Sequence, residues 1–134
     1  MHATAKESTN AIIDDLRDDF CGILVDESYD VSCENQMAIN LCYVDKRGFV
    51  VERFISFIHV SDTSNASLKN SISSMLPYHQ LRFSIIRGQG HDGACNMRGE
   101  FNGLKTLIMR ETKFAYYIHC FAHKLKLALV FVAY

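Results

Sequence analysis

Apolar side chains recur at helical spacing in four parts of the chain, which predicts four amphipathic helices. Their apolar positions are Ile12, Ile13, Leu16 and Phe20; Leu68, Ile72, Met75 and Leu76; Phe101, Leu104, Leu107 and Ile108; and Leu125, Ala128, Leu129 and Val132. The first helix belongs to a leading segment of residues 1–20. Residues 62–64 are polar and suit the start of the second helix, which we expect Pro77 to end.

Short runs of apolar and β-branched residues predict five strands. These runs occupy residues 21–26, 37–44, 49–60, 83–86 and 115–119. The first run is continuously apolar, as is typical of a strand that is buried on both faces. A turn at residues 45–48, with Gly48 free to take a positive φ, predicts a hairpin between the second and third strands. The glycine-rich residues 88–93 are predicted to form a loop.

The order of these elements is α, β, β, β, α, β, α, β, α. A three-strand meander followed by alternating helices and strands predicts a mixed α/β sheet with helices on both faces. No linker or repeat divides the chain, so we expect one domain over residues 1–134. The ribonuclease H-like fold has this order of elements, and other α/β sheets remain open on the pattern alone.

Composition narrows the classes of protein further. The formal net charge is -1, which argues against a polyanion binder that depends on a large basic excess. The 5 cysteines are odd in number and irregularly spaced, so we expect reduced thiols and an intracellular protein. The chain starts without a signal-peptide pattern, and no apolar run reaches the roughly 20 residues that span a bilayer.

Two aspartates lie at predicted strand ends, where α/β sheets commonly bind ligands. Asp26 ends the first predicted strand, and Asp92 lies in the loop after the fourth. If these two strands are parallel neighbours, the carboxylates converge and repel each other, and Mg²⁺ would relieve that repulsion. The alternative is that each aspartate caps a turn or a helix.

Gly88, Gly90 and Gly93 satisfy the spacing of a dinucleotide-binding loop. That function is disfavoured because Asp92 would face the pyrophosphate with a like charge. The preceding strand is also the fourth of the chain, whereas the motif normally follows the first strand of a βαβ unit.

Cys120 and His123 have the spacing of half a zinc site. His91 and Cys95 are the nearby residues that would complete it. A Cys–His nucleophile is a further alternative. The favoured interpretation is a buried cysteine beside a histidine with a local hydrogen bond, since two ligands do not make a structural zinc site.

Several blocks of sequence resemble the hAT superfamily of transposase-derived proteins, which includes zinc finger MYM-type proteins and many plant proteins with a domain of unknown function. Residues 23–32 read ILVDESYDVS and residues 87–97 read RGQGHDGACNM. Further blocks in consistent order are residues 51–54, 99–105 and 117–125.

This resemblance implies the N-terminal part of a ribonuclease H-like core of a DDE-type transposase. It assigns the first two catalytic, Mg²⁺-binding acids to Asp26 and Asp92, and the core motif Cys-x-x-His to Cys120 and His123. Asp30 and Asn96 are further candidates within the matched blocks. The third acid of such enzymes is a glutamate far downstream, so we expect the C-terminally truncated core represented by these 134 residues to bind Mg²⁺ weakly and to be inactive.

The resemblance also implies transposon-end DNA as the ancestral partner and residence in the nucleus. Two alternatives to ancestral Mg²⁺-dependent DNA cleavage and strand transfer remain. One is an interaction module that uses the apolar residues 127–134 to bind a second copy or another protein. The other is a structural domain stabilised by zinc, which we consider the weaker hypothesis. No membrane partner is expected.

Overall fold

The computed structural model describes residues 2–16, 19–29, 35–91 and 103–119, together with residues 129 and 132. The helices of these ranges are α1 His2–Leu16, α2 Asn65–Tyr78 and α3 Leu104–Glu111. The strands are β1 Cys21–Tyr29, β2 Asn35–Val44, β3 Val50–His59, β4 Ile86–His91 and β5 Tyr116–His119.

The five strands form one sheet in the order β3-β2-β1-β4-β5. β1 and β3 pair with β2 in antiparallel orientation, whereas β1 and β5 pair with β4 in parallel. The predicted mixed α/β fold class is confirmed, and so is the parallel pairing of the first and fourth strands on which the carboxylate hypothesis depends.

One face of the sheet carries the hydrophobic core. Burial alternates along β2, where every second side chain from Met37 to Tyr43 is buried, as the two-residue period of a strand requires. α2 and α3 pack on this face with the predicted apolar stripes, and Leu68, Ile72 and Leu104 are fully buried. Burying each such side chain contributes about 1.5–3 kcal/mol.

α1 joins the same core. Leu16 is buried at its end, and the Tyr43 hydroxyl donates a 3.1 Å hydrogen bond to Asp15 Oδ2. The three described helices therefore share one core. The helix predicted from Phe121 onwards lies outside the described residues, apart from Leu129 and Val132, which are helical. No described helix combines the length and the apolar character needed to cross a bilayer.

The largest departure from the predicted elements concerns β4. Residues predicted as the fourth strand form a short 3₁₀ helix, Phe83–Ile85, and the strand proper is Ile86–His91. Most of the predicted glycine loop is therefore a strand. The buried side chains of this strand include the polar Gln89 and His91, so the sequence shows no apolar alternation here.

The ends of α1, β1 and α2 also differ from prediction. α1 ends at Leu16, and Phe20 lies in the segment before β1 with 59% of its side chain exposed. β1 continues past Asp26 to Tyr29, because the predicted polar loop is still paired with β2. α2 continues one residue beyond Pro77, and its end is set by a capping motif rather than by the proline.

Candidate functional site

The carboxyl ends of β1 and β4 lie at one edge of the sheet because the two strands are parallel. Their register runs from Cys21 opposite Ile86 to Val25 opposite His91. It includes a bulge near the start, where Gly22 pairs with Gly88. On its other side β4 pairs with β5, and His91 lies opposite His119.

Asp26 follows the last residue pair of the parallel ladder. It pairs with Ala38 on β2, and its side chain is exposed. Side chains alternate along a strand, so Asp26 points away from the core face that buries Val25. The continued pairing with β2 fixes the backbone of Asp26, although the sequence predicted that the strand ended there.

The other predicted site residues lie outside the described residues: Asp92, Asp30, Asn96, Cys95, Cys120 and His123. Asp92 follows His91 directly in the chain, and Cys120 follows His119. Within the described ranges, no three His, Cys, Asp or Glu side chains are grouped closely enough to hold a metal ion.

His91 is buried on the core face, with 1% of its surface exposed. Its ring packs against that of Tyr117 with a centroid distance of 4.5 Å, and the Tyr117 hydroxyl donates a 3.4 Å hydrogen bond to the His91 carbonyl. This packing fixes the end of β4 just before Asp92.

Gln89 is a positioning residue that the sequence analysis missed. It is buried, and its Nε2 donates to the carbonyl oxygens of Lys105, at 3.0 Å, and Ala115, at 2.9 Å. One amide thus connects β4 to α3 and to the start of β5. Its position between two glycines gave no signal, because that pattern is typical of a loop.

Two of the cysteines are described, and both are free thiols. Burial and, to a smaller extent, the neighbouring Cys42 raise the pKa of Cys21 to about 11. A thiol with so high a pKa carries almost no thiolate near neutral pH, so Cys21 is not suited to nucleophilic chemistry.

The strand order β3-β2-β1-β4-β5, with an exposed carboxylate where the central strand leaves its parallel ladder, defines an RNase-like α/β domain. The family model DUF4371, described as ZMYM1/FAM200, RNase-like domain, matches residues 1–103. The chain therefore belongs to this RNase-like family. The match includes both candidate carboxylates, Asp26 and Asp92, and ends before Cys120 and His123.

Proposed function

We propose that this domain is the RNase-like core of a transposase-derived protein, in which Asp26 and Asp92 form a divalent-metal site. The observation that supports it is the parallel register of β1 and β4, which ends with Val25 opposite His91. In the sequence, an aspartate follows each of these two residues. If the chain kept this register for one more position, Asp26 and Asp92 would be neighbours at the strand spacing of about 4.8 Å.

The donor chemistry fits a hard cation. Asp26 offers an exposed carboxylate at the sheet edge, and paired carboxylates with open positions for water and phosphate oxygens suit Mg²⁺. The cation would neutralise the repulsion between the two acids. When bound, Mg²⁺ would supply Lewis-acid activation of an attacking oxygen and charge stabilisation in phosphodiester cleavage.

We expect the 134-residue chain, assayed alone, to show no strand transfer. The resemblance to DDE-type transposases implies a third acid from sequence outside these residues. Two ligands leave a cation poorly positioned, and a misplacement of about 1 Å costs on the order of 10²-fold in rate. Strand transfer by the purified chain that is lost in Asp26→Ala would contradict this expectation.

Metal binding is tested by thermal unfolding during a Mg²⁺ titration at constant ionic strength. Mg²⁺ at ten times its dissociation constant stabilises the native state by about 1.4 kcal/mol. We expect this gain in the wild type and its loss in both Asp26→Asn and Asp92→Asn. Without Mg²⁺, each variant should be at least as stable as the wild type because a like-charge repulsion is removed.

The matched control is Asp14→Asn, which removes an exposed carboxylate on α1. It should leave the Mg²⁺ response unchanged. Paramagnetic broadening by Mn²⁺ gives a second readout, which should be centred on the amides of Val25 and His91. An equal Mg²⁺ response in the wild type and Asp26→Asn would rule out the site.

An interaction module is the second candidate, and two described side chains favour it. Leu129 and Val132 are 62% and 83% exposed, and their three-residue spacing puts them on one helical face. We expect the double variant Leu129→Ser with Val132→Ser to reduce concentration-dependent association measured by light scattering. Val44→Ser removes another exposed apolar side chain and is the control. A wild-type chain that stays monomeric at all concentrations would contradict this candidate.

A further inference from the structure

An arginine contacts two phenylalanine rings at the edge of the sheet opposite Asp26. Phe20 immediately precedes β1, Arg87 is the second residue of β4, and Phe114 lies two residues before β5. The three residues thus gather at the amino ends of three adjacent strands. The Arg87 Cζ atom is 4.1 Å from the ring centroid of Phe20 and 4.5 Å from that of Phe114.

Cation–π contacts leave the hydrogen-bonding capacity of Arg87 unused. Both rings contact the flat guanidinium, whose N–H donors lie in its own plane. The Nε atom is buried and has no hydrogen-bond partner. The exposed carboxylate of Asp19 precedes Phe20 in the chain, yet no ion pair joins it to Arg87 in the described part of the structure. A partly buried guanidinium without an ion pair is costly, and an anion that binds the terminal N–H groups of Arg87 would offset this cost.

The surroundings indicate which kind of anion fits. Lys113 adds a second cation, with its Nζ 5.1 Å from the Phe114 centroid. A planar guanidinium matches the geometry of phosphate oxygens and can donate to two of them. Phe20 and Phe114 are 59% and 42% exposed as residues, so apolar surface borders the cations. Arginine, lysine and exposed aromatic rings together are the groups that bind single-stranded nucleic acid.

We propose that Arg87, in contact with Phe20 and Phe114, binds a phosphate group, and that this phosphate belongs to single-stranded nucleic acid. The guanidinium donates to the phosphate oxygens, Lys113 adds attraction, and the rings stack on a neighbouring base. This site shares no residue with the proposed metal site, and Asp26 lies at the opposite edge of the sheet. If phosphate binding at Arg87 is disproved, the metal hypothesis is unaffected. If metal binding at Asp26 is disproved, the phosphate proposal is unaffected.

The first test measures the response of thermal stability to inorganic phosphate. We expect the Tm of the wild type to rise with phosphate and to saturate, and the Arg87 Nε–H resonance to shift along the same curve. In Arg87→Met we expect a higher Tm without phosphate, since an unpaired charge is removed, and no saturable rise. Arg53→Met removes an exposed arginine on β3 and should respond like the wild type.

General salt effects on stability act on all three proteins alike, so the comparison removes them. A wild type without a saturable response overturns the proposal, and so does an Arg87→Met variant that responds equally. If Arg87→Met fails to fold, the wild type alone decides. A saturable shift of the Arg87 Nε–H resonance supports the proposal, and the absence of such a shift overturns it.

The second test identifies the source of the phosphate. Binding of a fluorescent oligothymidylate, followed by anisotropy, should weaken as salt rises and should be displaced by inorganic phosphate. Phe20→Leu should weaken oligothymidylate binding by about 5–100-fold through lost stacking. Phe54→Leu, at another exposed phenylalanine, should leave both oligothymidylate binding and the phosphate response unchanged. Phosphate binding without oligothymidylate binding overturns the assignment to nucleic acid.

Discussion

Burial of the Cys21 thiol makes the stability of the domain depend on pH in the alkaline range. Its pKa is about 11 in the folded state against 9.0 for an ordinary thiol. The raised pKa stabilises the fold fully below pH 9, and this contribution is lost as pH rises through 11. The loss approaches about 3 kcal/mol.

The measurement is the free energy of unfolding between pH 8 and pH 11 for the wild type and Cys21→Ala. The variant should be less stable at pH 8 because a buried sulfur is removed, and it should show a smaller alkaline decline. Cys42→Ala, at a half-buried thiol, is the control and should keep most of the decline. Parallel pH curves for the wild type and Cys21→Ala would refute the assignment to this thiol.

Gln80 occupies a backbone conformation that glycine adopts more easily. Its φ is 61°, at the residue after the helix cap where the Leu81 amide donates back to the Leu76 carbonyl at 2.7 Å. The left-handed conformation costs a non-glycine residue about 1–2 kcal/mol, and glycine avoids this cost. Part of the resulting stabilisation is offset because glycine has more conformational entropy in the unfolded state. Gln80→Gly should therefore stabilise the domain by about 0.5–1 kcal/mol in urea denaturation.

Gly48 provides the opposite control for this effect. Its φ is 86°, and an added Cβ would meet no atom within 4 Å. The cost of a side chain there therefore comes from the left-handed backbone conformation and not from a steric clash with neighbouring residues. Gly48→Ala should destabilise by about 1 kcal/mol. Destabilisation by Gln80→Gly would show that the side chain of Gln80 matters more than its φ.

At the scale of elements, the start of α2 follows directly from its sequence. The Ser64 side chain accepts a hydrogen bond from the Ser67 amide at 3.3 Å, and Asp62 in turn accepts from the Ser64 amide and hydroxyl. Ser64→Ala should cost about 1 kcal/mol of unfolding free energy. Ser74→Ala, on the exposed side of the same helix, should change it by less than about 0.5 kcal/mol.

The connection of β4 to α3 and β5 through Gln89 leads to a further prediction. Gln89→Leu removes both donated hydrogen bonds and leaves the Ala115 carbonyl without its side-chain donor, which should cost about 1–3 kcal/mol in chemical denaturation. Gln36→Leu, at a half-buried glutamine on β2, should cost less. Equal losses in the two variants would mean that the Gln89 amide contributes little beyond its packing.

The elements that obey simple periodicity were predictable from sequence, and β4 was not. Leu68, Ile72 and Leu76 form a helical stripe, and the predicted helix is confirmed with this stripe buried. In β4 the residues that face the core are Gln89 and His91, whose burial depends on hydrogen bonds and ring contacts supplied by other elements. Such tertiary partners leave no local pattern.

The candidate site shows the same limit. The position of Asp26 directly after the parallel ladder was predictable because the residue follows an apolar run typical of a buried strand. Its pairing with Ala38 was not, because only the partner strand shows that the polar residues after it remain in the sheet. Arg87 escaped notice since Phe20 and Phe114 lie far from it in sequence.

At the scale of the whole molecule, the position of β1 should determine how the domain opens. β1 is paired on both sides, whereas β3 has one strand neighbour in the described sheet. Amide hydrogen exchange should therefore be slowest at Ile23 and Val25 and faster along β3. Equal protection of β1 and β3 would indicate that the free side of β3 is covered, for example by a second copy.

The pairing of β1 with β4, which begins at Cys21 opposite Ile86, has a consequence for biosynthesis. A ribosome-bound chain that has emerged only as far as Val60 has the three antiparallel strands but not the partner of β1 on the other side. The backbone N–H and C=O groups of β1 that pair with β4 stay unpaired until residues up to His91 have been synthesised. During this interval the nascent chain is most exposed to wrong pairing, so slow translation between the codons for Val60 and His91 should increase aggregation.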